Sequence, residues 1–269
     1  MTPADFDFIS TLLKGRSGLV LTPDKSYLLE SRLMPVARKN SLSSLEELVS
    51  AIRTRKDEAL IVQVTEAMTT NESFFFRDIK PFDLLRDVVL PPFLESRASR
   101  KSLRVWCAAA SSGQEPYSIA IVLKELGARL ANWKIDIVGT DISHDILNKA
   151  KDGLYTQFEV QRGLPIQLLL KYFEKKDESW QIKPELRKMI TYKYFNLLED
   201  PAGLGKFDIV FCRNVLIYFD APTKTKVLDS IARLMPKDGM LFLGGAETVL
   251  GVSDKFKPLA GQRGVYTLT

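Results

Sequence analysis

The sequence predicts an α/β protein: a mainly parallel, seven-stranded sheet of Rossmann-like type, preceded by an all-helical segment. Three observations carry this. The first seventy or so residues show helical spacing and no strand pattern. From Leu103 onward, strand and helix patterns alternate. The first alternation, Leu103-Arg104-Val105-Trp106-Cys107, runs through small residues to Gly113 and meets Pro116 in the first turn of a helix. In such sheets, ligands bind beyond the carboxyl ends of the strands.

The helical segment reads in four pieces. Asp5 to Lys14 places Phe6, Ile9, Leu12 and Leu13 on one face. Thr22-Pro23 opens a helix to about Lys39, with Leu29, Leu33, Val36 and Ala37 as its stripe. Ser43-Ser44-Leu45-Glu46-Glu47 resembles a capping box and starts a helix to about Arg53, and Asp57 to Met68 makes the fourth. Lys25, Arg32 and Lys39 recur every seven residues and line one row beside the apolar stripe. They read as snorkelling side chains or as a basic ridge for an acidic helical partner.

Next come Thr69-Thr70-Asn71-Glu72-Ser73-Phe74-Phe75-Phe76-Arg77-Asp78. Three consecutive phenylalanines cannot share one helical face, so this is a connecting wall rather than an amphipathic helix. Ile79 to Glu95 reads as a helix broken at Pro91-Pro92. After the first strand, a helix spans Glu115 to Leu130, a strand Lys134 to Gly139, and a helix runs from Thr140-Asp141-Ile142-Ser143 to Lys151. Residues 152–189 interrupt the alternation. A helix opens at Gly163-Leu164-Pro165, and strands near Trp180–Ile182 and Lys188–Tyr192 are expected to form a small hairpin. Strands follow at Met189–Phe195, Phe207–Cys212, Gly239–Gly244 and Gly264–Leu268, with a helix at Ala221–Met235.

Composition narrows the function. The chain has 269 residues, 45% hydrophobic and 26% charged, with a net charge of +5. Residues 1–75 hold nine Lys/Arg against ten Asp/Glu, so no basic stripe points to nucleic acid. Cys107 and Cys212 fall in strands and read as reduced core thiols. No metal-ligand spacing occurs, no apolar run approaches the ~18 residues of a membrane span, and the amino terminus has no signal-peptide blocks. A cytoplasmic protein is expected.

The turn after the first strand lacks G-x-G-x-x-G, so it is not a dinucleotide fingerprint. It carries Glu115 at the helix start, where a carboxylate would repel phosphate and suit a cation. S-adenosylmethionine, with an ammonium and a sulfonium and no phosphate, fits that chemistry. Asp141, just past the second strand, stands where an acid can accept from both ribose hydroxyls. A helix cap is its plainer role, and Ser143 can cap instead. The lone histidine, His144, reads as a surface residue.

Three blocks now stand in order behind a helical segment: T-T-N-E-S-F-F-F-R-D, R-V-W-C-A-A-A-S-S-G-Q-E-P-Y-S-I-A and F-D-I-V-F-C-R-N-V-L-I-Y-F. Together they closely resemble the chemotaxis receptor methyltransferases, the CheR family, over almost the whole chain. The resemblance implies a class I methyltransferase fold and methyl transfer from S-adenosylmethionine to receptor glutamates, leaving S-adenosylhomocysteine, with no metal. It implies a receptor-docking helical domain at 1–76, a methyltransferase domain at 77–269 and a small β-subdomain at 174–192. Asn71, Ser73, Arg77, Glu115, Asp141, Asn196, Leu197, Arg213 and Asn214 match the family's cofactor positions, and Arg77 and Tyr218 its reaction centre. Ser73 replaces a frequent threonine, and Gln114 a frequent acid.

The partner implied is the cytoplasmic helical bundle of methyl-accepting receptors, which favours Lys25, Arg32 and Lys39 as a docking ridge. Some members tether a receptor pentapeptide through a glycine-containing loop. Here Glu174-Lys175-Lys176-Asp177-Glu178-Ser179-Trp180 is short and lacks glycine, which argues against tethering. A monomer is expected. The acceptor carboxylate is ionised near neutral pH, so transfer needs alignment rather than a general base. The alternatives are a non-catalytic S-adenosylmethionine-binding adaptor or a methyltransferase for a small carboxylic acid.

Overall fold

In a computed structural model describing residues 2–269, the chain divides into two compact units. The first takes in the chain up to Thr70 together with Tyr218–Lys224; the second comprises Asn71–Ile217 and Thr225–Thr269. The division falls at Thr70/Asn71, six residues before the boundary the sequence suggests.

The first unit is built on α1 (Pro3–Ser17), α2 (Tyr27–Lys39), α3 (Leu45–Arg55) and α4 (Glu58–Met68). Their starts follow from capping chemistry. Thr2 and Asp5 exchange bonds in a capping box, Ser44 accepts from the Glu47 N–H, and Asp57 accepts from Ala59 and Leu60. Ile9, Leu13, Leu29, Leu33, Leu48 and Val64 are fully or almost fully buried among these helices. Each such side chain contributes about 1.5–3 kcal/mol of transfer free energy. The helix expected from Pro23 begins instead as one 3₁₀ turn, Pro23–Lys25, before α2.

Within this unit, Lys14 Nζ lies 2.8 Å from the Asp220 carboxylate. That bond, followed by those from Thr223, holds the Asp220 carboxyl at about 2. Its ordinary value is roughly 3.9. A depressed folded value means the stabilisation is present above the unfolded value and disappears as pH falls from about 4 towards 2. In acid unfolding, the gap between wild type and Asp220→Asn should therefore close across that window. A constant gap would contradict this linkage.

The second unit centres on β1 (Ser102–Ala108), which pairs in parallel with β2 (Lys134–Asp141) on one side. A short antiparallel sheet follows from β3 (Leu154–Thr156), β4 (Phe173–Lys176) and β5 (Ser179–Ile182), in the order β3-β5-β4. The main sheet is completed by β6 (Ile190–Tyr194), β7 (Ile209–Cys212), β8 (Met240–Leu243), β9 (Phe256–Pro258) and β10 (Val265–Leu268). Its order is β6-β2-β1-β7-β8-β10-β9, parallel except for the antiparallel pairings of β10 with β8 and β9. This is the mainly parallel seven-stranded sheet that the sequence predicts. The helices are α5 (Lys80–Leu84), α6 (Leu90–Ser96), α7 (Gln114–Glu125), α8 (His144–Asp152), α9 (Gln157–Gln161), α10 (Ile166–Tyr172), α11 (Pro184–Arg187) and α12 (Ala221–Arg233).

Two expectations are corrected. The hairpin expected between 180–182 and 188–192 does not form. β5 pairs with β4 and β3, while Ile190–Tyr194 extends the main sheet beside β2, as the core strand expected at Met189–Phe195 requires. Ile190 and Tyr192 alternate into the core, and the β2 edge offers them more apolar cover than a two-stranded ribbon could. Nor does Pro91-Pro92 break the helix after Ile79. The chain widens into a π turn at Leu85–Val89, with the Leu90 N–H bonded to the Leu85 carbonyl, and continues into α6. The wider turn accommodates prolines that lack an N–H and would crowd an ordinary α turn.

The amino-terminal side of the sheet carries a charged network. Asp208 accepts from Arg97 Nε at 2.9 Å, from the Arg104 backbone N–H at 2.9 Å, and from the Arg100 guanidinium. Arg97 also forks onto Asp238 at 2.9 and 3.0 Å. The Cys107 and Cys212 thiols are free and buried in β1 and β7, and burial pushes both well above their ordinary range.

Candidate active site

After β1, Ala109, Ser111 and Gly113 take φ values of 62°, 49° and 93°, three left-handed conformations that fold the chain sharply into α7. Gly113 is required there: a Cβ would stand 2.7 Å from the Tyr192 hydroxyl oxygen and 3.1 Å from that of Tyr155. The Tyr155 hydroxyl donates to the Ser112 carbonyl, so the turn is held from below. Ala109 and Ser111 store strain in a loop with small side chains and accessible backbone, as expected where a ligand approaches closely.

Asp141 is the last residue of β2 and is buried. One carboxylate oxygen accepts from the Ser111 N–H at 2.8 Å, and the other from the Ser143 N–H at 3.1 Å. Its side chain therefore ties the β1 and β2 turns together. Ser143 caps α8, its hydroxyl accepting from the Ile146 N–H. The Asp141 carbonyl accepts from Phe195, which brings Asn196 and Leu197 beside the end of β2. His144 stacks on Tyr194 at 4.3 Å and is exposed.

The aromatic wall sorts its three rings three ways. Phe75 is fully buried against Tyr155 and Phe173; Phe76 packs on Phe82. Phe74 lies under the Arg77 and Arg162 guanidinium groups at 5.3 and 4.4 Å. Asn71 joins the β1 turn through its carbonyl, which accepts from the Ser111 hydroxyl at 2.9 Å. Ser73 is partly buried in the same segment. Gly163, at φ 88°, seats this segment, since a Cβ there would collide with the Phe75 carbonyl at 2.1 Å.

Glu115 does not stand as an isolated negative charge. Arg213, buried at the end of β7, donates to Glu115 at 2.8 Å, to Asp78 at 2.7 Å and to the Arg77 carbonyl at 3.0 Å. Burial pushes the Glu115 carboxyl up from its ordinary value, and the Arg213 guanidinium opposes that shift. Arg213 thus links α7, β7 and the 77–78 turn. The Arg77 guanidinium donates to the Glu72 carbonyl at 2.9 Å.

Glu247 escaped the sequence reading. Its buried carboxylate accepts four backbone N–H bonds: Asn214 at 2.8 Å and Gly244 at 2.7 Å on one oxygen, Val215 at 2.9 Å and Ile217 at 3.3 Å on the other. It clamps the loop after β7 to the end of β8. The only signal was an acid after the small-residue run Gly244-Gly245-Ala246, which periodicity does not flag.

Asn71, Ser73, Arg77, Glu115, Asp141, Asn196, Leu197, Arg213 and Asn214 all belong to the second unit. The strand ends among them lie along the carboxyl edge of β6, β2, β1 and β7. Tyr218 groups with the first unit, where its carbonyl accepts from the Val20 N–H at 2.9 Å. Lys25, Arg32 and Lys39 are also in the first unit. Arg32 is occupied there: it donates to the Met68 and Thr69 carbonyls at 2.8 and 3.1 Å and to the Thr70 hydroxyl at 3.1 Å. Those carbonyls end α4, where a cation is favourable. Lys25 and Lys39 are exposed. Among the described residues, no cluster of three or more His, Cys, Asp or Glu could hold a metal, and no helix is long and apolar enough to cross a membrane.

Comparison with known proteins places this geometry. Residues 71–265 match the family model described as CheR methyltransferase, SAM binding domain, and residues 4–69 match CheR methyltransferase, all-alpha domain. The chain is 40% identical over 265 residues to Chemotaxis protein methyltransferase Cher2 of Pseudomonas putida, covering 97% of this chain and 96% of that protein. It is 40% identical to Chemotaxis protein methyltransferase 1 of Pseudomonas aeruginosa over 97% and 96% of the two chains. It is 39% identical to the chemotaxis protein methyltransferase of Vibrio anguillarum over 95% and 93%.

Proposed function

The chain belongs to the CheR methyltransferase family and is an S-adenosylmethionine-dependent methyltransferase of chemotaxis; from that premise we propose that its acceptors are glutamate side chains of chemotaxis receptors, converted to methyl esters. The observation that supports this best is the convergence of the predicted cofactor residues at the carboxyl edge of β6, β2, β1 and β7. The residues present fit the cofactor: a Gly113 turn without room for a side chain, a buried Asp141, and Asn196–Leu197 alongside.

When bound, S-adenosylmethionine supplies an electrophilic methyl group on a sulfonium. Asp141 would hold the ribose hydroxyls, Asn196 and Leu197 would flank the adenine, and Asn71 and Ser73 would close the aromatic side. Glu115, anchored by Arg213, places negative charge near the cationic end of the ligand and keeps the turn in register. Asn214 borders the reaction centre under the Glu247 clamp. Arg77 would orient the acceptor carboxylate. Over-stabilising that anion would slow attack, so its contribution lies in alignment and in offsetting desolvation. Tyr218 would add a hydroxyl to the same group. Replacing a carboxylate by a neutral ester lowers like-charge repulsion along a receptor helix, a route to shifting a signalling equilibrium.

In this reading, Lys25 and Lys39 meet the acidic receptor bundle, and Arg32 fixes the end of α4 behind them. β4 and β5 are joined by a tight turn at Asp177-Glu178, which supports docking without a tethered pentapeptide. The protein would act as a monomer in the cytoplasm.

The direct test is transfer of labelled methyl from S-adenosylmethionine to a purified receptor cytoplasmic fragment, scored as base-labile methanol. Label that vanishes when the receptor's candidate glutamates become alanine supports the proposal. No label on any cognate receptor, despite cofactor binding, refutes it. Arg77→Ala should keep the fold and lower transfer at least about tenfold, roughly 1.4 kcal/mol of barrier. Wild-type turnover in that variant would remove Arg77 from the reaction.

A further inference from the structure

At the carboxyl edge of the sheet, beside the cofactor residues, lies a cavity of about 760 Å³ that none of the roles above uses. It is contained within the second unit, between the Asp78–Leu84 turn, the loop after β8 and the loop entering β10. β8 runs parallel to β7 and β10 antiparallel to β8, so the end of β8 and the start of β10 share the edge at which β1, β2 and β7 terminate. The predicted adenosine positions occupy the β6, β2 and β1 end of that edge. An acceptor must therefore enter from the other side, over β7, β8 and β10.

The lining has a specific chemistry. Leu84, Phe242, Leu250 and Tyr266 make it largely apolar, and Leu250 is 64% exposed. Its two carboxylates are already engaged, Asp78 by Arg213 and Glu247 by four backbone N–H groups. Its two cations, Lys80 and Arg263, are exposed and form no ion pair among the described residues. An apolar trough with two uncommitted cations and no uncommitted acid suits an amphipathic segment bearing carboxylates. Asp78 is bonded to Arg213, which also holds the Arg77 carbonyl, so one wall of the trough is tied to the Arg77 turn.

We propose that this cavity is an acceptor subsite, in which Lys80 and Arg263 hold acidic side chains neighbouring the glutamate to be methylated. The inference rests on the receptor-glutamate reading and adds a rule of selection: glutamates with acidic neighbours are preferred. Charges at such a rim act on association and are weakened by salt.

The test uses the full chain, the double variant Lys80→Gln/Arg263→Gln, and two receptor fragments. One fragment is native; in the other, acidic residues within one helical turn of each accepting glutamate are changed to glutamine. The double variant should bind S-adenosylmethionine and turn over as wild type does. Its KM for the native fragment should rise at least about fivefold at low salt, with a smaller rise at high salt. On the neutralised fragment, wild type and variant should have the same, raised KM. An unchanged KM for the native fragment, or an equal loss on both fragments, overturns the subsite. If wild type methylates neither fragment, the receptor-glutamate reading fails and the subsite fails with it. That outcome is distinct from wild-type transfer that ignores the two substitutions.

Discussion

Glu247→Gln is expected to lower methyl transfer by at least about tenfold while the sheet stays folded. The Glu247 carboxylate presents two oxygens to four backbone N–H groups, those of Asn214, Val215, Ile217 and Gly244. Glutamine keeps one oxygen and turns an NH₂ group towards two of the four donors, so two charge-assisted bonds are lost and two donors face each other. Bonds to a charged acceptor contribute about 1.5–3 kcal/mol each, so roughly 3 kcal/mol or more is at stake. That loss falls on the loop after β7, the segment leading into Tyr218. No neighbouring change restores the fit, because Gly244 leaves no room: a Cβ there would stand 2.7 Å from the Glu247 oxygen. The expected signature is a fall in kcat larger than any change in S-adenosylmethionine affinity, since Asp141 and the β1 turn are untouched. Thermal unfolding and single-turnover transfer measure the two effects together. Wild-type kcat and melting temperature in Glu247→Gln would show that the clamp is dispensable.

Asp208→Ala should be the most destabilising single substitution at the opposite edge of the sheet. Asp208 is buried, accepts from Arg97 and Arg100, and receives the Arg104 backbone N–H. Removing it strands the buried Arg97 guanidinium on one side. Breaking one partner out of a buried pair costs about 3–5 kcal/mol, because the remaining charge stays desolvated. At about 2–4 °C per kcal/mol, melting should drop on the order of 10 °C. Asp238→Ala provides the internal contrast. Its side chain also pairs with Arg97 but is 59% exposed against 8% for Asp208, so water can replace it and the cost should be much smaller. Equal losses in the two variants would mean that burial does not govern this network.

The sequence by itself determined the sheet and which residues stand along its carboxyl edge, because those features are written in local order. Pattern and periodicity located β1, β2, β6, β7, β8 and β10 and the four helices of the first unit. Gly113, Glu115 and Asp141 were legible because strand-end positions in such a sheet have fixed chemical meaning. What the tertiary structure decided depends on partners distant in sequence. The sequence offered residues 188–195 both a hairpin and a core strand, and the β2 edge, which could cover Ile190 and Tyr192, decided for the core strand. The continuous helix through Pro91-Pro92 depended on a π turn that no pattern announces. Arg32 reads on its own helix as a surface cation, yet carbonyls more than thirty residues away occupy it. Arg213 reads as a cofactor contact, yet it holds Glu115 and Asp78, each more than ninety residues distant. Glu247 carries no period and no motif. Its importance arises only when four backbone donors from two strand ends converge on one buried carboxylate.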